Sequence, residues 1–97
     1  MFAITPTGDG DILLSGRFDA AQVDRADAVL GKLQSSTRID FSGLEYISSA
    51  GLGCLLKAQK RLSQSGQMLV LIRMNKLVRD IFRMARLEVV FRIDDDA

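Results

Sequence analysis

Residues 45–53 read EYISSAGLG and place two adjacent hydroxyls, Ser48 and Ser49, immediately before Ala50, Gly51, Leu52 and Gly53. Serine before an apolar-periodic segment is a helix-start signal, because its side-chain oxygen can accept one of the unpaired N–H groups of the first turn. The same helix end carries partial positive charge and tolerates an anion. A serine there can therefore also take a phosphoryl group, which adds roughly −1.5 to −2 charge and changes what a partner meets without refolding the chain. The two glycines sharpen the question, since each costs about 1 kcal/mol in a helix interior relative to alanine. A local rule broken at a strand-to-helix junction points to function, here a surface bare of bulky side chains on which another polypeptide could lie closely. The competing reading is that a serine simply caps the helix and the glycines allow tight packing against a sheet.

Other chemistries find little support. The chain has no histidine and one cysteine, Cys54, which removes the commonest general base and leaves the thiol without a histidine partner. Cys54 is read as a small buried side chain and Met68, Met74 and Met84 as core filler. Asp9 with Asp11 flanks a turn and Asp24 with Asp27 lies on the outer face of a helix, where carboxylates are hydrated. No phosphate-binding Gly-x-x-x-x-Gly-Lys-Ser/Thr run and no calcium-loop spacing occurs, so no cofactor, no metal and no enzyme activity is expected. Lys76, Arg79, Arg83 and Arg86 fall on one arc of a predicted helix, as a solvated face or as a patch that steers an acidic partner.

The elements that position these residues follow from periodicity. Residues 2–5 and 12–17 are β-type runs joined by the turn-rich Pro6-Thr7-Gly8-Asp9-Gly10, which predicts a hairpin. Val23, Ala26, Leu30 and Leu33 form a helical stripe, with Asp19 as N-cap and Gln22 completing a capping box. Residues 38–41 predict a strand ending at Ser42-Gly43, and residues 49–65 a helix burying Leu52, Leu55, Leu56 and Leu62, with Gly66 at its left-handed end. Residues 68–72 read as a strand covered on both faces. Asn75 caps a third helix whose apolar side is Leu77, Val78, Ile81, Phe82 and Ala85. Leu87, Val89, Phe91 and Ile93 alternate with Glu88, Val90 and Arg92 as an edge strand with one wet face would, and Asp94-Asp95-Asp96 reads as a frayed tail. The order β-β-α-β-α-β-α-β predicts an α/β fold with a mixed, partly parallel sheet.

With 97 residues, 47% of them apolar and 26% charged, residues 1–97 are expected to form one globular domain. The net charge of +1 conceals an asymmetry, −3 over residues 1–50 and +4 over residues 51–97. That is far from a nucleic-acid footprint, and no run reaches the roughly 20 apolar residues a membrane span needs. Absence of a signal-peptide pattern and the lone cysteine predict a cytoplasmic location, with neither nucleic acid nor membrane insertion among its partners.

The run IDFSGLEYISSAGLGCLL resembles the signature of the STAS family, the bacterial anti-sigma factor antagonists, and GRFDAAQVDRADAVL is similar to the stretch leading into that family's first helix. The resemblance covers nearly the whole chain. It implies a mixed four- to five-stranded sheet with three to four helices packed mainly on one face. It further implies a partner-switching module that binds an anti-sigma factor acting as serine kinase, is phosphorylated at Ser49 and is reset by a phosphatase. Ser48 stands where the family often has aspartate, a second hydroxyl that competes as acceptor. Ser48, Ser49, Ala50, Gly51, Leu52 and Gly53 would form the partner-binding surface. The alternative is a constitutive STAS-type subunit of a transport or signalling scaffold complex, without phosphoregulation.

Overall fold

The strand predicted to end at Ser42-Gly43 instead runs to Ile47, and this extension sets where the following helix begins. The computed structural model describes residues 1–94. Its order is β1 (Ala3–Pro6), β2 (Ile12–Phe18), a 3-10 turn Ala20–Gln22, α1 (Val23–Leu30), β3 (Thr37–Ile47), α2 (Ser49–Ser63), β4 (Leu69–Ile72), α3 (Lys76–Met84), a 3-10 turn Leu87–Val89 and β5 (Arg92–Asp94). The five strands lie side by side in chain order. β1 runs antiparallel to β2, and the remaining pairs are parallel. The three parallel connections all advance in one direction across the sheet, which with the right-handed crossover general to such units puts α1, α2 and α3 over the same face. The fold is thus α/β with a mixed five-stranded sheet and three helices, as the sequence predicts.

β3 continues because two bulges absorb its polar middle. Leu13 pairs with Asp40 and Ser15 with Gly43, then Gly16 pairs with Leu44 and Arg17 with Tyr46, so β3 gains one residue over β2 at each step. The Asp40 carboxylate accepts the Ser42 N–H at 2.8 Å inside the first bulge. A Cβ on Gly43 would stand 2.8 Å from Ser15 Cβ, so the strands approach too closely there for any side chain. The bulges change the inward spacing from two to three, so that Thr37, Ile39, Phe41, Leu44 and Ile47 are all buried.

The core lies between that face and the helices. Phe41 on β3, Phe82 on α3 and Phe91 before β5 meet edge to face at centroid separations of 5.9 and 5.7 Å. The opposite face holds Leu13, Arg38, Asp40 and Val70 in register, laced by the ion pairs Asp11–Arg38 at 2.7 Å and Asp40–Arg73 at 2.9 Å.

Several expectations are corrected. Residues 87–91 do not form a strand: Leu87–Val89 is a 3-10 turn entered through Arg86 at φ 58°, with Val89 exposed, and only Arg92–Asp94 pairs with β4. Apolar alternation does not distinguish such a turn from an edge strand when β4 offers only three partners. Leu77 and Met84 are exposed, and α3 buries only Val78 and Phe82. Asp19 accepts the Ala21 N–H and so caps the 3-10 turn, while Gln22 makes no capping bond. α2 stops at Ser63, and Gly66 takes its left-handed φ of 74° two residues beyond the Gln64 C-cap. Met68 is exposed and β4 starts at Leu69, with Val70 half-buried and Ile72 buried. Asp94 ends β5, whereas the rest of the predicted acidic tail lies outside the described residues.

Candidate functional site

At the end of β3 the Ser48 N–H donates to Phe18 O at 2.9 Å, which fixes the chain where it leaves the sheet. Ser48 is extended, at φ −89° and ψ 172°, and its Oγ accepts the Gly51 N–H at 3.3 Å. Ser48 is therefore the N-cap of α2. Ser49, the first helical residue, is exposed, as is Ala50. The two hydroxyls that sequence leaves equivalent are separated by the fold: one is spent on the helix end, the other points to solvent at the positive end of a helix of 15 residues.

The glycines separate as well. A Cβ on Gly51 would lie 2.8 Å from Ile47 Cγ1 and 2.9 Å from Phe18 O, so Gly51 is required for α2 to sit on the strand ends. Around Gly53 nothing lies within 4 Å of such a Cβ. Gly51 and Leu52 are buried, so the exposed part of the predicted surface narrows to Ser49, Ala50 and Gly53 with the rim of Ser48.

A hollow of about 340 Å³ opens beside Ser49, lined by Tyr46, Ile47, Leu52, Ile81, Met84 and Ala85. The Arg17 guanidinium stacks over the Tyr46 ring at 4.5 Å and brings a cation to this end of the sheet. A larger groove of about 710 Å³ follows α2 past Gly53, Leu56, Lys57 and Lys60, with Val90 as its far wall. Sequence reading placed Leu56 in the core, but it is half-buried and floors this groove.

Cys54 is buried and donates to Asp27 Oδ1 at 2.9 Å, and Lys57 reaches Asp27 Oδ2 at 3.5 Å. Burial, and then the hydrogen bond and charge of Asp27, push the thiol from 9.0 up to about 12, against the opposing pull of Lys57. The thiol is thus a structural donor between α1 and α2. Asp27 was expected on a hydrated outer face and is instead half-buried against α2. The basic arc of α3 is interrupted too, because Lys76 and Arg83 both pair with Asp80 and Arg86 lies beyond the helix end. No cluster of His, Cys, Asp or Glu among the described residues could hold a metal, and no described helix is long and apolar enough to cross a membrane.

The family model described as "Mlab, STAS domain" matches residues 5–92. The chain belongs to the STAS family. No curated protein matches this STAS domain by sequence. Its fold is shared with a putative anti-sigma factor antagonist of Thermotoga maritima, 22% identical with a TM-score of 0.79, over 98% of this chain and 86% of the other. It is also shared with the phosphorylated form of the Bacillus cell fate determinant SpoIIAA, 16% identical with a TM-score of 0.67 over 99% and 93%. A sulfate transporter family protein of Wolinella succinogenes matches as well, 18% identical with a TM-score of 0.72 over 94% and 80%. At these identities the likeness is one of fold.

Proposed function

We propose that this STAS domain is a non-catalytic, cytoplasmic anti-sigma factor antagonist. It binds an anti-sigma factor that is also a serine kinase, is phosphorylated by it at Ser49, and is restored by a phosphatase. The observation that carries the reading is the division of labour at the start of α2, where Ser48 caps the helix and Ser49 stands exposed one residue on. A kinase needs the Ser49 oxygen accessible. Ser48 is half-buried and its oxygen is engaged by the Gly51 N–H, so it is the less accessible of the two.

A dianion on Ser49 meets the unpaired N–H groups of the first helical turn, so the domain stays folded while its surface changes sign. The apolar hollow beside it, lined by Leu52, Ile81 and Met84, then carries a charged rim that opposes entry of an aliphatic side chain. The exposed residues Ser49, Ala50 and Gly53, with the half-buried Ser48 at their rim, thus serve as the contact surface, with Gly51 and Leu52 holding it from beneath. Comparing Ser49→Ala with Ser49→Asp in quantitative affinity purification tests this: the alanine variant should retain the partner and the aspartate variant should lose it.

The likeness to the sulfate transporter family protein supports a second reading, a constitutive subunit of a transport or scaffold complex. In that case both variants retain the same partner equally.

A further inference from the structure

Gly53 breaks helix propensity without a reason in the fold. Gly51 is forced by contact with Phe18 and Ile47, but a side chain at 53 would enter open space. The bare backbone at Gly53 forms one end of the groove that continues over Leu56 to Lys60 and Ser63, with Val90 opposite. Residues 53–63 span about 15 Å along the helix axis. We propose that this groove on α2 is the docking site for an amphipathic partner helix that presents an aliphatic ridge flanked by acidic residues.

Shape and charge select that occupant. The floor is the Gly53 backbone with Leu56 and Val90, an apolar strip where the missing side chain at 53 lets a second helix approach the backbone. The lining holds two cations and no acid. Lys57 is 75% exposed, with one loose contact to Asp27 at 3.5 Å. Lys60 makes no ion pair among the described residues, and Lys57, though it reaches Asp27, leaves most of its side chain in solvent. An extended peptide would need unpaired backbone groups to bond with, and a helix wall offers none. The groove begins one helical turn after Ser49, so the proposal rests on reading the domain as a protein-binding module, but it does not require phosphorylation.

The test uses the full chain carrying Ser49→Ala, isotopically labelled and titrated with two synthetic helical peptides that share one leucine–alanine ridge. One peptide is flanked by glutamate and the other by lysine. The glutamate peptide should shift the amide resonances of Gly53, Leu56, Lys60 and Val90, and the lysine peptide should not. Gly53→Leu should weaken the glutamate peptide by about tenfold or more, and Lys57→Glu with Lys60→Glu should reverse the preference. Gly53→Ala serves as the folding control and should raise the melting temperature by about 4–8 °C. Equal response to both peptides, no response, shifts confined to another face, or groove shifts that vanish on dilution without peptide would each overturn the proposal. Because Ser49 is absent throughout, that outcome would leave the phosphoserine switch standing, and failure of the switch would leave the groove standing.

Discussion

The Ser48 Oγ accepts the Gly51 N–H at 3.3 Å while the side chain of Ser49, next in the chain, stands in solvent. Removing the first should therefore cost stability and removing the second should not. Ser48→Ala is expected to lose about 1 kcal/mol, as an N-cap does, and Ser49→Ala less than about 0.5 kcal/mol, as an exposed site does. Urea denaturation of both variants measures the difference. Equal losses would mean that the two hydroxyls share the capping role.

Charge at Ser49 should strengthen the fold as it weakens docking. Ser49→Asp places a carboxylate in the first turn of α2 and is expected to add about 0.3–1 kcal/mol at low ionic strength. Thermal melts at low and high salt check this, since the gain should shrink as salt screens it.

Alanine at the two glycines of α2 should have opposite effects. Gly51→Ala drives a methyl into Ile47 and Phe18, an overpacking that costs about 1–3 kcal/mol. Gly53→Ala meets nothing and gains up to about 1 kcal/mol of helix propensity. Chemical denaturation of the pair distinguishes a packing glycine from one that the fold itself does not need.

The Cys54 thiol is held protonated, with a pKa raised from 9.0 to about 12. A raised folded-state value means that the contribution to stability is complete below pH 9 and is lost as pH climbs toward 12. Stability should fall across that window in the native chain and fall less in Cys54→Ala. At pH 8, alkylation of Cys54 should be slow in the folded protein and fast once it is unfolded.

Arg86 adopts φ 58° with no side-chain cap bond, a conformation glycine enters freely. Arg86→Gly should therefore be neutral to stabilising by up to about 1 kcal/mol, a value that denaturation can read.

Element order, a serine cap at the start of α2, the Asn75 cap and the left-handed Gly66 were legible in sequence because each depends on neighbours a few residues away, but which of Ser48 and Ser49 caps was decided by where β3 ends. The course of β3 past Ser42 was not, since its bulges are set by where β2 lies beside Gly43 and Leu44. Nor were the different reasons for Gly51 and Gly53, or the bond between Cys54 and Asp27, which joins helices 27 residues apart in the chain. The exposed Val89 was misread for the opposite reason: its local alternation is that of a strand, but β4 has no partner residue to offer it.

The central claim is that an added dianion at the exposed hydroxyl decides which protein docks. Its most direct test is phosphopeptide mapping of the protein from its own cell, joined to a measured affinity of the purified partner for the phosphorylated and unphosphorylated forms. Phosphate on Ser49 and not Ser48, with affinity reduced by about tenfold or more, is the expected result. Phosphate confined to Ser48, or a partner that binds both forms equally, would contradict it.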